Sequence, residues 1–414
     1  MKCRIGLLGL PNVGKSSLFN ALAQQSIAAA ANFPFCTIDP HVAPNIAVPD
    51  PYLQALGKDS VTQRPATMEW IDVAGLAPNA HLGEGLGNQF LGTLRTCHAL
   101  CHVVRVFEDG NGTSDDAVVH HVTGRVNPVQ DVELINLELL LADLEHVQRR
   151  LDKLSSSLQR DDDTTEREVL QRIHAVLEAG QPARTLSYTA DERASIQGMG
   201  LLTLKSVLYA LNVDEVDFTL GRAQAVERIE REILPQLGIN LNRRDNQDEN
   251  ESTTTTRDMY ALVSAKLEAD LYEKMSDPQE RYEYLSKELG MDGDVGITSW
   301  QDMEQLLSYN VLPNKIKRML NLALVYTGPG VPPERSQTTK AYLFSPTLEA
   351  WTAHDLAGRL HGDIQRGFIR AEVVSAPDLL SFDSWAAAKE AGRIRTEGKQ
   401  YRLAPNDVVL IKWR

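Results

Sequence analysis

One stretch constrains this chain more than any other: Gly9-Leu10-Pro11-Asn12-Val13-Gly14-Lys15-Ser16. It fits the phosphate-loop pattern G-x-x-x-x-G-K-[ST] without a mismatch. The residues before it, Cys3-Arg4-Ile5-Gly6-Leu7-Leu8, read as a buried strand, and Ser17-Leu18-Phe19-Asn20-Ala21-Leu22 open a helix. A strand, a glycine-rich turn and a helix N-terminus aim several main-chain N–H groups at one point, which suits a polyphosphate. Asn12, Val13, Gly14, Lys15, Ser16 and Ser17 are therefore expected around a nucleotide. Lys15 would reach the outer phosphates and the Ser16 hydroxyl would hold Mg2+.

Hydrolysis needs more than a phosphate loop. The second part is an acid at the end of a neighbouring strand, and Met68-Glu69-Trp70-Ile71-Asp72-Val73-Ala74-Gly75 supplies Asp72. Asp72 starts an Asp-x-x-Gly turn whose Gly75 N–H is placed to meet the γ-phosphate. The third part is Thr37, between the first helix and the Asp72 strand, as a loop threonine that closes on Mg2+. Order and spacing together indicate a GTPase-type switch protein. Where Ras-type enzymes carry a water-positioning glutamine, this chain has Leu76. An alkyl group cannot orient water, so slow intrinsic turnover is expected. Asn12 offers an amide oxygen to a monovalent cation such as K+; satisfying the loop backbone is the equally open alternative.

The base is read elsewhere. GTPases use Asn-Lys-x-Asp after a later strand, and here the corresponding run is Asn212-Val213-Asp214-Glu215. Valine replaces the lysine and glutamate the aspartate. Adenine lacks the N1–H and 2-amino group that the aspartate would accept from, so ATP becomes plausible and GTP preference weakens. Ser264-Ala265-Lys266 points the other way, because it matches the loop by which GTPases read guanine O6.

The 414 residues allow two or three domains, and no apolar run is long enough to cross a membrane. Met1-Lys2-Cys3 leads directly into the first strand, leaving no expected room for a signal peptide. Four cysteines suit a reducing, cytoplasmic setting. A net charge of −14 argues against general nucleic-acid binding and no specific DNA partner is expected. Residues 326–414 differ, with 12 basic against 10 acidic side chains. An anionic partner would dock there.

Strands are expected at 3–8, 67–73, 102–107, 206–212 and 259–264, with helices at 15–23, 87–96 and 223–234. Residues 131–180 interrupt them. Leu134, Leu137, Leu141, Leu144, Leu151 and Leu158 form a stripe at helical spacing, Asp161-Asp162-Asp163-Thr164-Thr165 reads as a turn, and Val169, Ile173, Val176 and Leu177 make a second apolar face. An antiparallel helical hairpin and two ordinary surface helices both fit. Residues 242–257 read as a polar, disordered insertion. A closing helix is expected at 314–324, and Gly328-Pro329-Gly330 marks the last boundary. Strands at 339–344, 368–374 and 408–413 suggest a small mixed domain. Cys97-His98-Ala99-Leu100-Cys101-His102 has one residue too many between its cysteines for haem attachment, and burial is the favoured explanation.

Taken together, these motifs resemble the YchF family of Obg-like ATPases. Residues 9–16, Asn32-Phe33-Pro34-Phe35-Cys36-Thr37-Ile38, Asp72-Val73-Ala74-Gly75-Leu76, Gly83-Glu84-Gly85-Leu86-Gly87-Asn88-Gln89-Phe90, Gly124-Arg125-Val126-Asn127-Pro128 and Asn212–Glu215 carry the likeness. The resemblance implies an α/β fold. A P-loop NTPase G domain (1–130 and 205–325), mostly parallel sheet with helices on both faces, would carry an inserted α-helical coiled-coil hairpin (131–204). A C-terminal β-grasp TGS domain (326–414) would follow, and Gly367-Phe368-Ile369-Arg370-Ala371 and Gly398-Lys399-Gln400-Tyr401 match its pattern. It further implies hydrolysis of ATP in preference to GTP, a cytoplasmic location, and binding to the ribosome (large subunit or rRNA) through the TGS and helical domains. In the family a histidine before Gly-x-Val-Asn-Pro takes over from the missing glutamine; His121, beside His120, stands at that place. An Obg-type GTPase, and a ribosome- or RNA-binding adaptor holding nucleotide as a structural ligand, are the alternative readings. Arg359, Arg366, Arg370, Arg393, Arg395 and Lys399 motivate the adaptor.

Overall fold

The computed structural model describes residues 3–25, 41–57, 62–73, 86–107, 126–156, 161–239, 258–291, 297, 299–327, 338–347 and 349–414. In chain order, β1 (Cys3–Leu8) and α1 (Lys15–Ala23) lead to β2 (His41–Ala47), α2 (Leu53–Gly57), β3 (Thr62–Arg64) and β4 (Thr67–Asp72). Next come α3 (Leu86–Arg95), β5 (Ala99–Arg105), the long α4 (Pro128–Ser156), α5 (Asp161–Glu178), α6 (Ala190–Ile196) and β6 (Val207–Asn212). Short α7 (Glu215–Phe218) and α8 (Arg222–Arg228) precede β7 (Met259–Val263), α9 (Ala265–Lys274), α10 (Pro278–Glu283), α11 (Trp300–Glu304) and α12 (Ser308–Met319). The chain then runs through β8 (Ala323–Thr327), β9 (Thr338–Phe344), α13 (Ala353–Leu360), α14 (Gly362–Arg366), β10 (Phe368–Ser375), α15 (Ala376–Leu380), α16 (Trp385–Glu390), β11 (Arg395–Glu397) and β12 (Asp407–Trp413). It divides into two compact units: Arg4–Ala43 with Trp70–Lys315, and Met1–Cys3 and Pro44–Glu69 with Ile316–Arg414.

One sheet runs β2-β4-β1-β5-β6-β7. β1, β5, β6 and β7 pair in parallel, with Ile5 opposite Ala99, Leu100 opposite Val207 and Leu208 opposite Met259. Every residue of β5 and β6 is buried, as expected of strands covered on both faces. Because these strands point the same way, the turns after β1, β6 and β7 leave from one edge, where ligands bind in open α/β sheets. β5 lies earlier than the expected 102–107, so Cys101 and His102 sit inside the strand. Pairing with β1 and β6 decides this register; local propensity does not. β2 was not foreseen, since Pro44 breaks the alternation that would have signalled it.

α4 serves two cores. Its first half buries Val132, Ile135, Leu139 and Ala142. From Leu140 onward another stripe lays Leu140, Val147 and Leu154, with Leu144 and Leu151 beside them, against Val169, Leu170, Ile173 and Leu177 of α5. The 3-4 spacing of 140, 144, 147, 151 and 154 is a knobs-into-holes seam. The expected stripe is therefore displaced: Leu137 is 50% exposed, and Leu158 lies outside the described residues. Arg150 grips Glu166 through two bonds, Nε to Oε1 at 2.7 Å and Nη2 to Oε2 at 2.6 Å, across the hairpin. The acidic run expected as a turn is instead the opening of α5, which starts at Asp161.

Two further boundaries move. The helix expected at 223–234 is α8 followed by a wider π turn at Ile229–Ile233. The closing helix begins at Ser308 and carries Pro313 within it; it stops at Met319, where Asn321 turns left-handed at φ 47°. Residues placed at its end form β8 instead. β8 is recruited by its partners β9 and β12 in the sheet of the second unit, ordered β11-β10-β12-β8-β9-β3. That mixed sheet has a core on each face. Leu324, Tyr326, Val374 and Val408 meet Leu379 and Trp385 on one side, and Val325, Ala371, Val373 and Val409 meet Leu356 and Trp351 on the other. Among the described residues no helix is long and apolar enough to cross a membrane.

Candidate nucleotide site

β1 delivers the phosphate loop with its apolar side chains Ile5, Leu7 and Leu8 locked in the core. The loop then makes conformations that few residues tolerate. Gly9 has φ 154°, and a Cβ there would lie 2.5 Å from the Val103 carbonyl oxygen of β5. Asn12 has φ 63° and Gly14 φ 93°. A Cβ on Gly14 would stand 2.5 Å from Asn212 Nδ2, so the loop and the end of β6 approach as closely as a glycine permits. Gly14 is the N-cap of α1 and supplies no side-chain cap, so the first-turn amides of α1 face the loop.

Lys15 is almost wholly buried and its Nζ donates to the Leu10 carbonyl at 3.0 Å, folded back over the loop it serves. Ser16 Oγ donates to Asp72 Oδ2 at 3.0 Å. The two residues expected to share a metal are thus brought together from 56 positions apart. A hydroxyl and a fully buried carboxylate are hard oxygen donors, the chemistry Mg2+ takes. Among the described residues no group of three or more His, Cys, Asp and Glu gathers as a metal cluster. Ser16 and Asp72 would leave most of a Mg2+ coordination sphere to other donors, water and phosphate among them, as is usual for that ion.

The side expected to meet the base is built around Asn212. Its Nδ2 donates to the Val13 carbonyl at 2.9 Å, and its Oδ1 accepts the Ala265 N–H at 2.9 Å. One buried amide therefore ties the phosphate loop to the Ser264–Ala265 turn. Val213 is buried, with its N–H donating to the Val263 carbonyl at 2.9 Å. Glu215 is exposed at the start of α7, which Asp214 caps by accepting from the Asp217 N–H at 2.8 Å. Ser264 and Ala265 are buried and Lys266 is exposed. Thr37, Gly75 and His121 lie outside the described residues, as do Leu76 and His120.

Three arrangements escaped the sequence. His102 sits inside β5, where burial first and then the charge of Lys15 push its imidazole down to about 3, so it is neutral. Glu268 is fully buried on α9, between Ser264 and Ser308. Arg95, at the end of α3, reaches Asp143 of α4 at 2.7 Å, and Asp143 also accepts from Thr203 N and Oγ1 at 2.7 and 2.8 Å. Only the Ser-Ala-Lys-x-Glu spacing hinted at Glu268. Cys97 and Cys101 are buried, and burial raises the Cys101 thiol far above its ordinary range.

Residues 4–136 match the family described as 50S ribosome-binding GTPase, and residues 338–414 match a YchF-GTPase C-terminal family described as a protein of unknown function. The ribosome-binding ATPase YchF of Bacillus subtilis (strain 168) is 36% identical over 99% of this chain and 98% of its own length. The protein of the same name from Escherichia coli O157:H7 is also 36% identical, with the same coverage. The structure of the Schizosaccharomyces pombe YchF GTPase superposes with a TM-score of 0.70 at 26% identity, covering 99% of this chain and 98% of that one.

Proposed function

The chain belongs to the YchF family and is a nucleoside triphosphate hydrolase, and we propose that it is Mg2+-dependent, prefers ATP to GTP, and works as a nucleotide-controlled switch on the ribosome. The observation that carries the catalytic reading is the 3.0 Å contact of Ser16 with Asp72 beside a buried Lys15. Loop amides hold the phosphates, Lys15 leaves the Leu10 carbonyl for the outer phosphate, and Ser16 with Asp72 and Thr37 holds the metal. Mg2+, when bound, neutralises charge on the phosphate oxygens. Gly75 senses the γ-phosphate through its N–H, and His121 orients water where Leu76 cannot. Asn12 is the donor for K+, if a monovalent ion assists.

ATP preference is supported from two sides. The Ala265 N–H, which would read guanine O6, is already given to Asn212 Oδ1. Val213 is buried in the position of the lysine, and Glu215 stands where guanine needs an aspartate. A site without the guanine-reading donors and acceptors loses its selectivity for guanine. Phosphate release from ATP and GTP, by the wild type and by Lys15→Ala, tests the proposal. The expected outcome is higher kcat/KM for ATP and loss of both activities in the variant. Equal or greater kcat/KM for GTP returns the Obg-type GTPase reading.

Ribosome binding, and with it a cytoplasmic location, is supported by the names of the relatives. We read 326–414 as the TGS domain and 131–204 as the helical arm that make the contact. Several of the basic side chains that motivate this are already engaged. Arg359 stacks on Trp351 at 3.6 Å, Arg366 pairs with Asp363, and Arg395 donates to Tyr401. Arg393 and Lys399 are exposed. Salt-dependent co-sedimentation with ribosomes, with phosphate release followed in parallel, tests the partner. Co-sedimentation without any turnover favours the adaptor; no co-sedimentation at low salt removes the partner.

A further inference from the structure

We infer that Glu268 is a positioning residue for the nucleotide base: its carboxylate fixes the Ser264–Ala265 turn by tying it to the start of α12. The inference rests on the reading that this turn meets the base. Glu268 Oε1 accepts the Ser264 N–H at 3.3 Å, and Oε2 accepts the Ser308 N–H at 2.6 Å. The backbone adds a third tie, because the Glu268 N–H donates to the Ser264 carbonyl at 2.9 Å.

The turn is thus held from both ends. Asn212 takes the Ala265 N–H and fixes it to the phosphate loop; Glu268 takes the neighbouring Ser264 N–H and fixes it to a helix. A capping residue can work at the surface, whereas Glu268 is fully buried. Burying a carboxylate is costly unless it is hydrogen-bonded on both oxygens. Here both oxygens are used, on two main-chain donors 44 residues apart in sequence, Ser264 and Ser308. Glutamine has a single acceptor oxygen and a donor amide, so it cannot serve both N–H groups.

The test compares ATP with inorganic tripolyphosphate, which carries the phosphates without a base, by calorimetric titration at pH 8, where Glu268 is a carboxylate, with Mg2+ present. Glu268→Gln is expected to weaken ATP binding about tenfold and leave tripolyphosphate unchanged. The KM for ATP should rise while kcat stays constant. Ser308→Pro removes the second N–H at the first residue of α12, where proline is tolerated, and should cause the same selective loss. Equal weakening of both ligands, or of neither, overturns the role of Glu268. If the wild type binds ATP no more tightly than tripolyphosphate, the base site itself is lost. If the wild type prefers ATP and the variants keep that preference, only the inference about Glu268 is lost.

Discussion

Asn212 and Ala265 are joined by a 2.9 Å hydrogen bond from the Ala265 N–H to Asn212 Oδ1, and the other end of the same amide holds the Val13 carbonyl. The phosphate loop and the Ser264–Ala265 turn are therefore one object, assembled by a side chain at the end of β6.

Asn212→Ala should break both halves of that object. Two buried backbone groups, Val13 C=O and Ala265 N–H, lose their partners, at about 1–3 kcal/mol each. Urea denaturation should show the loss in stability, and titration with ATP should show weaker binding. Unchanged ATP affinity would contradict the coupling.

Gly14→Ala should abolish nucleotide binding while the rest of the fold persists. The new Cβ would meet Asn212 Nδ2 at 2.5 Å, and φ 93° is strained for alanine. Circular dichroism checks the fold and fluorescent-nucleotide titration checks the site.

Asp72→Asn preserves shape and removes charge. The Mg2+ concentration for half-maximal ATPase activity should rise at least about tenfold, from loss of an ionic contact worth about 1.5–3 kcal/mol. Metal titration of the initial rate measures it.

Asp143→Ala should be the most destabilising of these changes. It removes the carboxylate that accepts from Arg95 and from both Thr203 donors at the junction of α3 with α4, leaving Arg95 only the Ala142 and Gly200 carbonyls. Breaking one side of a buried pair costs about 3–5 kcal/mol. A double-mutant cycle with Arg95→Ala should show the double variant losing less than the sum of the singles. Strict additivity would mean the pair is not coupled.

Glu268 makes stability depend on pH. Burial raises its carboxyl from the ordinary 4.5 to about 7, against the smaller lowering by the Ser308 and Ser264 bonds. A raised acid holds its proton in the folded state, so its contribution is most favourable below 4.5. That contribution is lost as pH rises from 4.5 to about 7, by about 3 kcal/mol in all. Denaturation curves between pH 5 and pH 8 should show the wild type losing stability relative to Glu268→Gln as pH rises. Parallel profiles would refute it.

Much of the architecture was legible because it is local. The β1–loop–α1 unit is written in consecutive residues, and the apolar runs of β6, β7, β10 and β12 announced themselves. Where reading failed, a distant partner had decided. β5 starts at Ala99 because Ile5 and Val207 pair with its opening residues. Residues 323–327 became strand because β9 and β12 offered edges. The seam of α4 is set by the residues that α5 packs against, Leu140, Val147 and Leu154, and not by the stripe through Leu137.

Sequence alone determined the phosphate-loop motif and the local turn that carries it, because glycines within eight consecutive residues set that loop and place Lys15 and Ser16 at the start of α1. Folding decided what surrounds that loop. Asn212 reaches Val13 over 199 residues and Ala265 over 53, and Glu268 reaches Ser308 over 40. Side chains that satisfy buried backbone groups so far along the chain leave no periodicity behind them. Their roles arise only when the strands and helices that carry them are packed at one edge of the sheet.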